Sequence, residues 1–276
     1  MNQQSVLALE LAETGLLSTF ALARHGITQY QLTKWMQDKK IQRIRLGWYR
    51  GPTPHKLVLQ AVQQNCLLSG AHALSFSGGW IPHGAQLQFQ TLSGNPTSVK
   101  GVRVHHRPRV QVKECRYGLV PWEVALHHAF QGLELCEQVA IIDSLLNAKV
   151  DRQINRRELS NYLASNGWAK VLSLTDKGAQ SGVESLARVR LVQMGHDVRT
   201  QVQLENGWPI DLLIDRRIAL EIDGNTHGAP EQWRRDIKKS HLSTRAGYLN
   251  LRLSYWDATE GWAESYALIL RLLARH

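Results

Sequence analysis

The stretch Asp211-Leu-Leu-Ile-Asp-Arg-Arg-Ile-Ala-Leu-Glu-Ile-Asp-Gly-Asn-Thr-His227 constrains the fold of this chain more than any other. Ile210, Leu212 and Ile214 alternate before a polar turn, and Ile218, Leu220 and Ile222 alternate after it. That two-residue period predicts two strands. A three-residue loop, Asp215-Arg216-Arg217, pairs Ile214 with Ile218 and Leu212 with Leu220 and turns both apolar sets toward one core. Asp211 then lies opposite Glu221, with Asp223 two residues further along the same face. Acids are poor strand residues, and like charges directly across a sheet repel. A divalent cation removes the repulsion, and hard carboxylate oxygens with room for water suit Mg²⁺ or Mn²⁺. The same alternation also fits a solvated polar face.

The flanking segments predict an α/β region. Ser181-Gly-Val-Glu184 reads as a capping box opening a helix to Met194, with Leu186, Val189 and Leu191 on its apolar side. Glu184 either completes that cap or joins the acids. Gln201–Leu204 reads as a strand, and a charged helix runs from Glu231 to Ala246, stopped by Gly247. Leu249, Leu251 and Leu253 predict another strand. A last helix, Ala258–Ala274, carries a leucine stripe through Leu268, Leu270 and Leu273.

With these residues in view, 181–276 resembles the PD-(D/E)XK nuclease superfamily, and within it the Vsr-like branch of very-short-patch-repair endonucleases. Pro209-Ile-Asp211 is similar to the PD element with one residue inserted. Glu221-Ile-Asp223 is similar to the (D/E)XK element, with aspartate where lysine is usual. Asp223-Gly224, His227, Asp236, Lys239 and Gly247 match the branch pattern, Glu184 matches the acid on the first helix, and Ser240 stands where a second acid is common. The resemblance implies phosphodiester hydrolysis, with Asp211, Glu221 and Asp223 holding Mg²⁺ or Mn²⁺. His227 would act as general base or position the water. Lys239 or Arg235 would steady the transition-state charge, and Glu184 and Asp236 complete the implied site.

The N-terminal end predicts a winged helix-turn-helix over 1–55. A helix over Ser18–His25 stops at Gly26, and Thr28-Gln-Tyr-Gln31 caps a second helix to Lys40 with Leu32, Trp35 and Met36 buried. Residues 41–50 read as the wing. Gln29, Gln31, Lys34, Gln37 and Lys39 on the second helix, with Arg43 and Arg45 on the wing, are the candidate DNA contacts, able to reach base edges or phosphates. The same helix face also fits plain solvation. Residues 56–150 predict a small α/β middle domain, with strands at 86–92 and 99–106 and helices at 122–130 and 135–146, followed by a linker helix and loop over 151–180. His105 and His106, beside Arg103, Arg107 and Arg109, read as a phosphate-contacting or solvated strand end, because adjacent strand residues face opposite ways. His127 and His128 read as surface or packing residues. The order winged helix, Ser69-Gly-Ala-His-Ala-Leu74, Gly118-Leu-Val-Pro121 and Ala140-Ile-Ile-Asp143 is similar to AbiEi-type antitoxins, whose N-terminal half is often fused to a Vsr-like domain.

The formal charge is +10. Residues 1–55 carry +4 (seven basic, three acidic), 56–179 carry +5 (13 and eight), and 180–276 carry +1 (13 and 12). The excess lies outside the acidic region and agrees with a nucleic-acid partner, and it equally suits an anionic membrane or another acidic partner. Three scattered cysteines fit no zinc spacing and suit a reducing, cytoplasmic setting. With no basic leader and no long apolar run, neither a signal peptide nor a membrane span is expected. Three functions fit: a metal-dependent DNA endonuclease targeted by its winged helix, in phage defence or a toxin–antitoxin system; a DNA-binding repressor or antitoxin with an inactive nuclease fold; or a scaffold for protein partners, including a toxin or a second copy.

Overall fold

Thr28 sets the start of the first buried helix. Its hydroxyl accepts the backbone N–H of Gln31, and the Gln31 side-chain oxygen accepts the backbone N–H of Thr28 at 2.8 Å, satisfying donors that a helix N-terminus leaves open. The computed structural model describes residues 14–24, 26–92, 98–107, 115, 117–150, 154–204, 208–223 and 241–274. The protein is mixed α/β and divides into two compact units, 1–132 with 150–152, and 133–149 with 153–276.

The first unit opens with β1 (Leu16–Ser18), α1 (Thr19–Arg24), α2 (Gln29–Gln37), β2 (Gln42–Arg45) and β3 (Trp48–Arg50). The strands form an antiparallel sheet in the order β1-β3-β2. Leu32 and Trp35 of α2 pack with Leu17, Ala21, Leu22, Ile41 and Tyr49. There follow α3 (Lys56–Gln63), β4 (Cys66–Ser69), α4 (Gly70–Leu74), β5 (Gln88–Thr91), β6 (Arg103–His105) and α5 (Trp122–Phe130). A second sheet runs β4-β5-β6, its first pair antiparallel and its second parallel. The two strands expected over 86–92 and 99–106 are shorter here, and Val99 and Val102 form only an isolated bridge.

His105 is not a solvated strand end. Its ring stacks on that of His128 with centroids 3.6 Å apart and planes 5° from parallel, and both residues are buried. His128 Nδ1 lies 2.7 Å from the Ser69 hydroxyl and its Nε2 3.1 Å from the Arg107 carbonyl, while His105 Nε2 lies 2.9 Å from the Gln88 side-chain oxygen. Four elements meet on this pair. Burial, with His128 and Arg103 nearby, pushes His105 down to about 4, and burial likewise lowers His128.

The second unit comprises α6 (Leu135–Asn147), α7 (Arg156–Ser165), α8 (Ala169–Ser173), α9 (Gly182–Gln193), β7 (Val198–Gln203), β8 (Pro209–Ile214), β9 (Ile218–Asp223), β10 (Leu249–Ser254), α10 (Tyr255–Ala258) and α11 (Trp262–Ala274). The sequence pattern ends the middle domain at 150 and makes 151–180 a linker, whereas packing puts α6, α7 and α8 in this unit. The four-stranded sheet runs β10-β9-β8-β7, antiparallel except for the β9–β10 pair.

Val183, Ala187 and Leu191 of α9 cover one set of strand residues: Leu212, Ile214, Ile218, Leu220, Ile222 and Leu253. Ile210 does not join them as the alternation predicts. It packs with Leu204, Leu213 and Ala219 in a second cluster, against which Leu242 and Tyr248 rest. The alternation is interrupted where the ladder to β9 stops, at Leu212↔Leu220, and Gln201 of β7, between the pairs Thr200↔Leu212 and Val202↔Ile210, has φ +51. The leucine stripe expected on the last helix also shifts. Leu268 and Leu270 are exposed while Ile269 is fully buried, with Trp262, Tyr266, Leu272 and Leu273 beside it.

Candidate functional site

The acidic hairpin has the register its alternation predicts, Leu212↔Leu220, Leu213↔Ala219 and Ile214↔Ile218. Asp215 and Arg216 make the turn at φ +49 and +58, a backbone region that short polar side chains tolerate when they bond locally. The Asp215 carboxylate does so, accepting the Asp197 N–H at 2.8 Å and lying 2.7 Å from His196 Nδ1.

The recorded ladder ends at Leu212↔Leu220, one residue short of Asp211 and Glu221, which are both partly buried. The Asp211 carboxylate turns toward β9, where Oδ2 accepts the Ile222 N–H at 3.1 Å. A backbone donor thus fixes this acid at the open end of the hairpin. The parallel strand β10 adds a cation. Arg252 lies beside Glu221 in register, and Ser254 beside Asp223. Arg252 Nε is 2.9 Å from Asp223 Oδ1 and 2.8 Å from Oδ2, with side-chain exposures of 47% and 49%. Asp223 is therefore balanced by an arginine.

Glu184 completes the cap of α9. Its Oε1 accepts the Ser181 hydroxyl at 2.8 Å, its Oε2 accepts the Gln180 N–H at 3.0 Å, and the Ser181 hydroxyl accepts the Glu184 N–H at 3.2 Å. The Gln201 amide reaches Glu184 Oε2 at 3.5 Å, and its oxygen accepts from Gln180 Nε2 at 2.9 Å. Gln201 lies on β7 between the residues paired with Leu212 and Ile210, so these bonds tie the cap of α9 to the sheet.

His227, Asp236 and Lys239, with Arg235, lie outside the described residues. Among the described residues no group of three or more His, Cys, Asp or Glu is disposed to hold a metal ion. Mg²⁺ commonly takes only one or two carboxylates and completes its shell with water. Asp211 and Glu221, hard donors on neighbouring strands just beyond the Leu212↔Leu220 pair, have the donor chemistry for such a cation. Asp223 does not fit it while Arg252 holds it. Sequence reasoning misses both Arg252 and Gln201: the first needs the parallel register across a long connection, the second a positive φ that glutamine does not announce.

On the first unit, Gln29, Lys34, Gln37 and Lys39 of the α2 region and Arg43 of β2 are exposed. Tyr30, absent from the sequence candidates, is 78% exposed on the same helix. Two candidates serve the fold. Gln31 closes the α2 cap, and Arg45 hydrogen-bonds the Asn65 side chain and lies 3.5 Å from the Val62 carbonyl near the end of α3. Among the described residues no helix is long and apolar enough to cross a membrane. No protein-family model matches the chain, and no curated protein matches it.

Proposed function

We propose that the chain is a metal-dependent DNA endonuclease, with a winged helix-turn-helix at 1–55 that targets DNA and a Vsr-like PD-(D/E)XK domain at 181–276 that cuts it. The observation that carries the reading is the acidic hairpin: Asp211 and Glu221 stand one residue beyond the Leu212↔Leu220 pair, and Asp211 accepts the Ile222 N–H. The element order α9-β7-β8-β9-β10-α11 and the sheet order β1-β3-β2 behind α1 and α2 support it.

Asp211 and Glu221 would hold the cation. Bound there, a divalent ion supplies the charge that polarises a phosphate and acidifies a water. The chain's own part would be to present those two carboxylates, and the Ile222 N–H holds that of Asp211. His227 would take a proton from the water, and Lys239 would offer charge to the phosphate. Gln29, Lys34, Gln37, Lys39 and Arg43 would contact DNA, the cations mainly at phosphates.

The test is supercoiled plasmid incubated with Mg²⁺ or Mn²⁺. Nicking should require the metal and fall about 100-fold or more in Asp211→Ala, the scale of losing a key electrostatic group. Cleavage that persists in Asp211→Ala would refute the assignment.

A second reading is a DNA-binding repressor or antitoxin whose nuclease-like domain is inactive, in keeping with AbiEi-type architecture and with a toxin or a second copy as partner. The Asp223–Arg252 pair favours it, because it removes one acid from the cation set. Tight duplex binding with no nicking under either metal would select this reading.

A further inference from the structure

We propose that Arg252 is a phosphate-binding residue of the nuclease site, held in place by Asp223 until nucleic acid arrives. The inference rests on the endonuclease reading above and deepens it.

Three observations meet at Arg252. It sits on β10 directly beside Glu221 of β9, so its strand position adjoins the acidic pair. Its Nε is within 2.9 Å of both Asp223 oxygens, which fixes the direction of the guanidinium. Both side chains are about half exposed, at 47% and 49%, so water screens the pair and the bond between them is weak. A buried pair would be a permanent strut, but an exposed one can exchange partners.

Phosphodiester oxygens are the natural exchange partner. The planar guanidinium presents five donors in a fork that matches phosphate as well as carboxylate. Asp223 and Ser254 lie side by side at the C-terminal ends of β9 and β10, the parallel pair of this sheet, so Arg252 stands next to that end. In the hydrolysis, a water oxygen bonds to phosphorus and one ester P–O bond breaks. One water proton passes to a base and the departing alkoxide regains a proton, giving a hydroxyl and a phosphate monoester. The negative charge that grows on the phosphoryl oxygens is what Arg252 stabilises, and Asp223 acts as its positioning residue.

The test has a metal-free arm and a kinetic arm, both on the full chain. In the first, protein labelled with ¹⁵N-arginine is titrated with thymidylyl-thymidine, the smallest phosphodiester, in EDTA. One arginine Nε resonance, absent from Arg252→Ala, should shift saturably, and in Asp223→Asn it should start from a different position yet still move. In the second, duplex cleavage with Mn²⁺ should fall about 100-fold in kcat for Arg252→Ala, with partial recovery in Arg252→Lys and a loss of about tenfold or less in Asp223→Asn. Duplex affinity in EDTA should change little, because the first unit supplies it. An Arg252 resonance that ignores the dinucleotide, or Arg252→Ala cleaving within about threefold of wild type, overturns the inference and leaves the endonuclease reading standing. Wild-type protein that cuts nothing under either metal overturns both.

Discussion

Two arginine–aspartate pairs in the second unit have the same chemistry and opposite surroundings. Arg188 of α9 meets Asp143 of α6 at 3.0 Å, with side-chain exposures of 7% and 1%. Arg188 also donates to the Leu174 carbonyl at 2.7 Å, and Asp143 accepts the Asp176 N–H at 2.8 Å. Arg252 meets Asp223 at 2.8 Å with both side chains near half exposed. Burial raises the Asp143 carboxyl above its ordinary range despite the adjacent guanidinium: taking the charges out of water costs more than their attraction returns. The inner pair is therefore a liability whose partners cannot be separated, while the outer pair is a loose contact whose partners can. Distance alone does not distinguish a strut from a recognition group; solvent does.

That contrast can be broken most directly at α9. Arg188→Ala should destabilise the protein by about 3–5 kcal/mol, because Asp143 keeps its burial and loses its counter-charge. Urea denaturation should recover most of the loss when Asp143→Leu is combined with Arg188→Met. A loss below about 1 kcal/mol from the single substitution would erase the distinction between the pairs.

The stacked histidines extend the comparison to a buried pair that avoids charge. A folded-state value of about 4 for His105, against 6.5 for a free side chain, means that its contribution is fully present above pH 6.5. It is lost progressively as the pH falls from 6.5 toward 4, because only the unfolded chain then takes the proton. The loss should be on the order of 3 kcal/mol. Stability measured across that window in wild type and in His105→Gln should diverge above pH 6 and converge near pH 4; parallel curves would exclude the neutral stack.

Smaller still is the cap of α9. Ser181→Ala should cost about 1 kcal/mol, seen as a modest fall in the thermal midpoint. At the bottom of the scale, Arg252→Ala should move folding stability by less than about 1 kcal/mol. A larger shift would show that the outer pair is structural after all.

The hairpin was legible because its period and its three-residue turn fix the register from local information alone, and Leu212↔Leu220 follows directly. The α2 cap was legible for the same reason, since Thr28 and Gln31 lie three residues apart. Ile210 was misplaced because the alternation breaks just past the last β8–β9 pair, Leu212↔Leu220, and where a ladder stops has no residue signature. Arg252 was invisible as a partner of Asp223 because 28 residues separate them and the parallel register is set by packing. His105 and His128 escaped for a related reason: neutral imidazoles stacking across two elements leave no spacing to detect. The assignment of α6 to the second unit is likewise tertiary, decided by α9 rather than by any pattern within α6.

Nearly every side chain of α9 is buried, from Val183 to Leu191, between α6 and the sheet. A fragment trimmed to 181–276 would lay bare the flank that normally rests on α6 and leave Arg188 facing water instead of Asp143. Such a piece should aggregate or melt early, however faithfully it preserves the catalytic letters. The smallest autonomous body that holds this sheet begins well upstream, near Leu133.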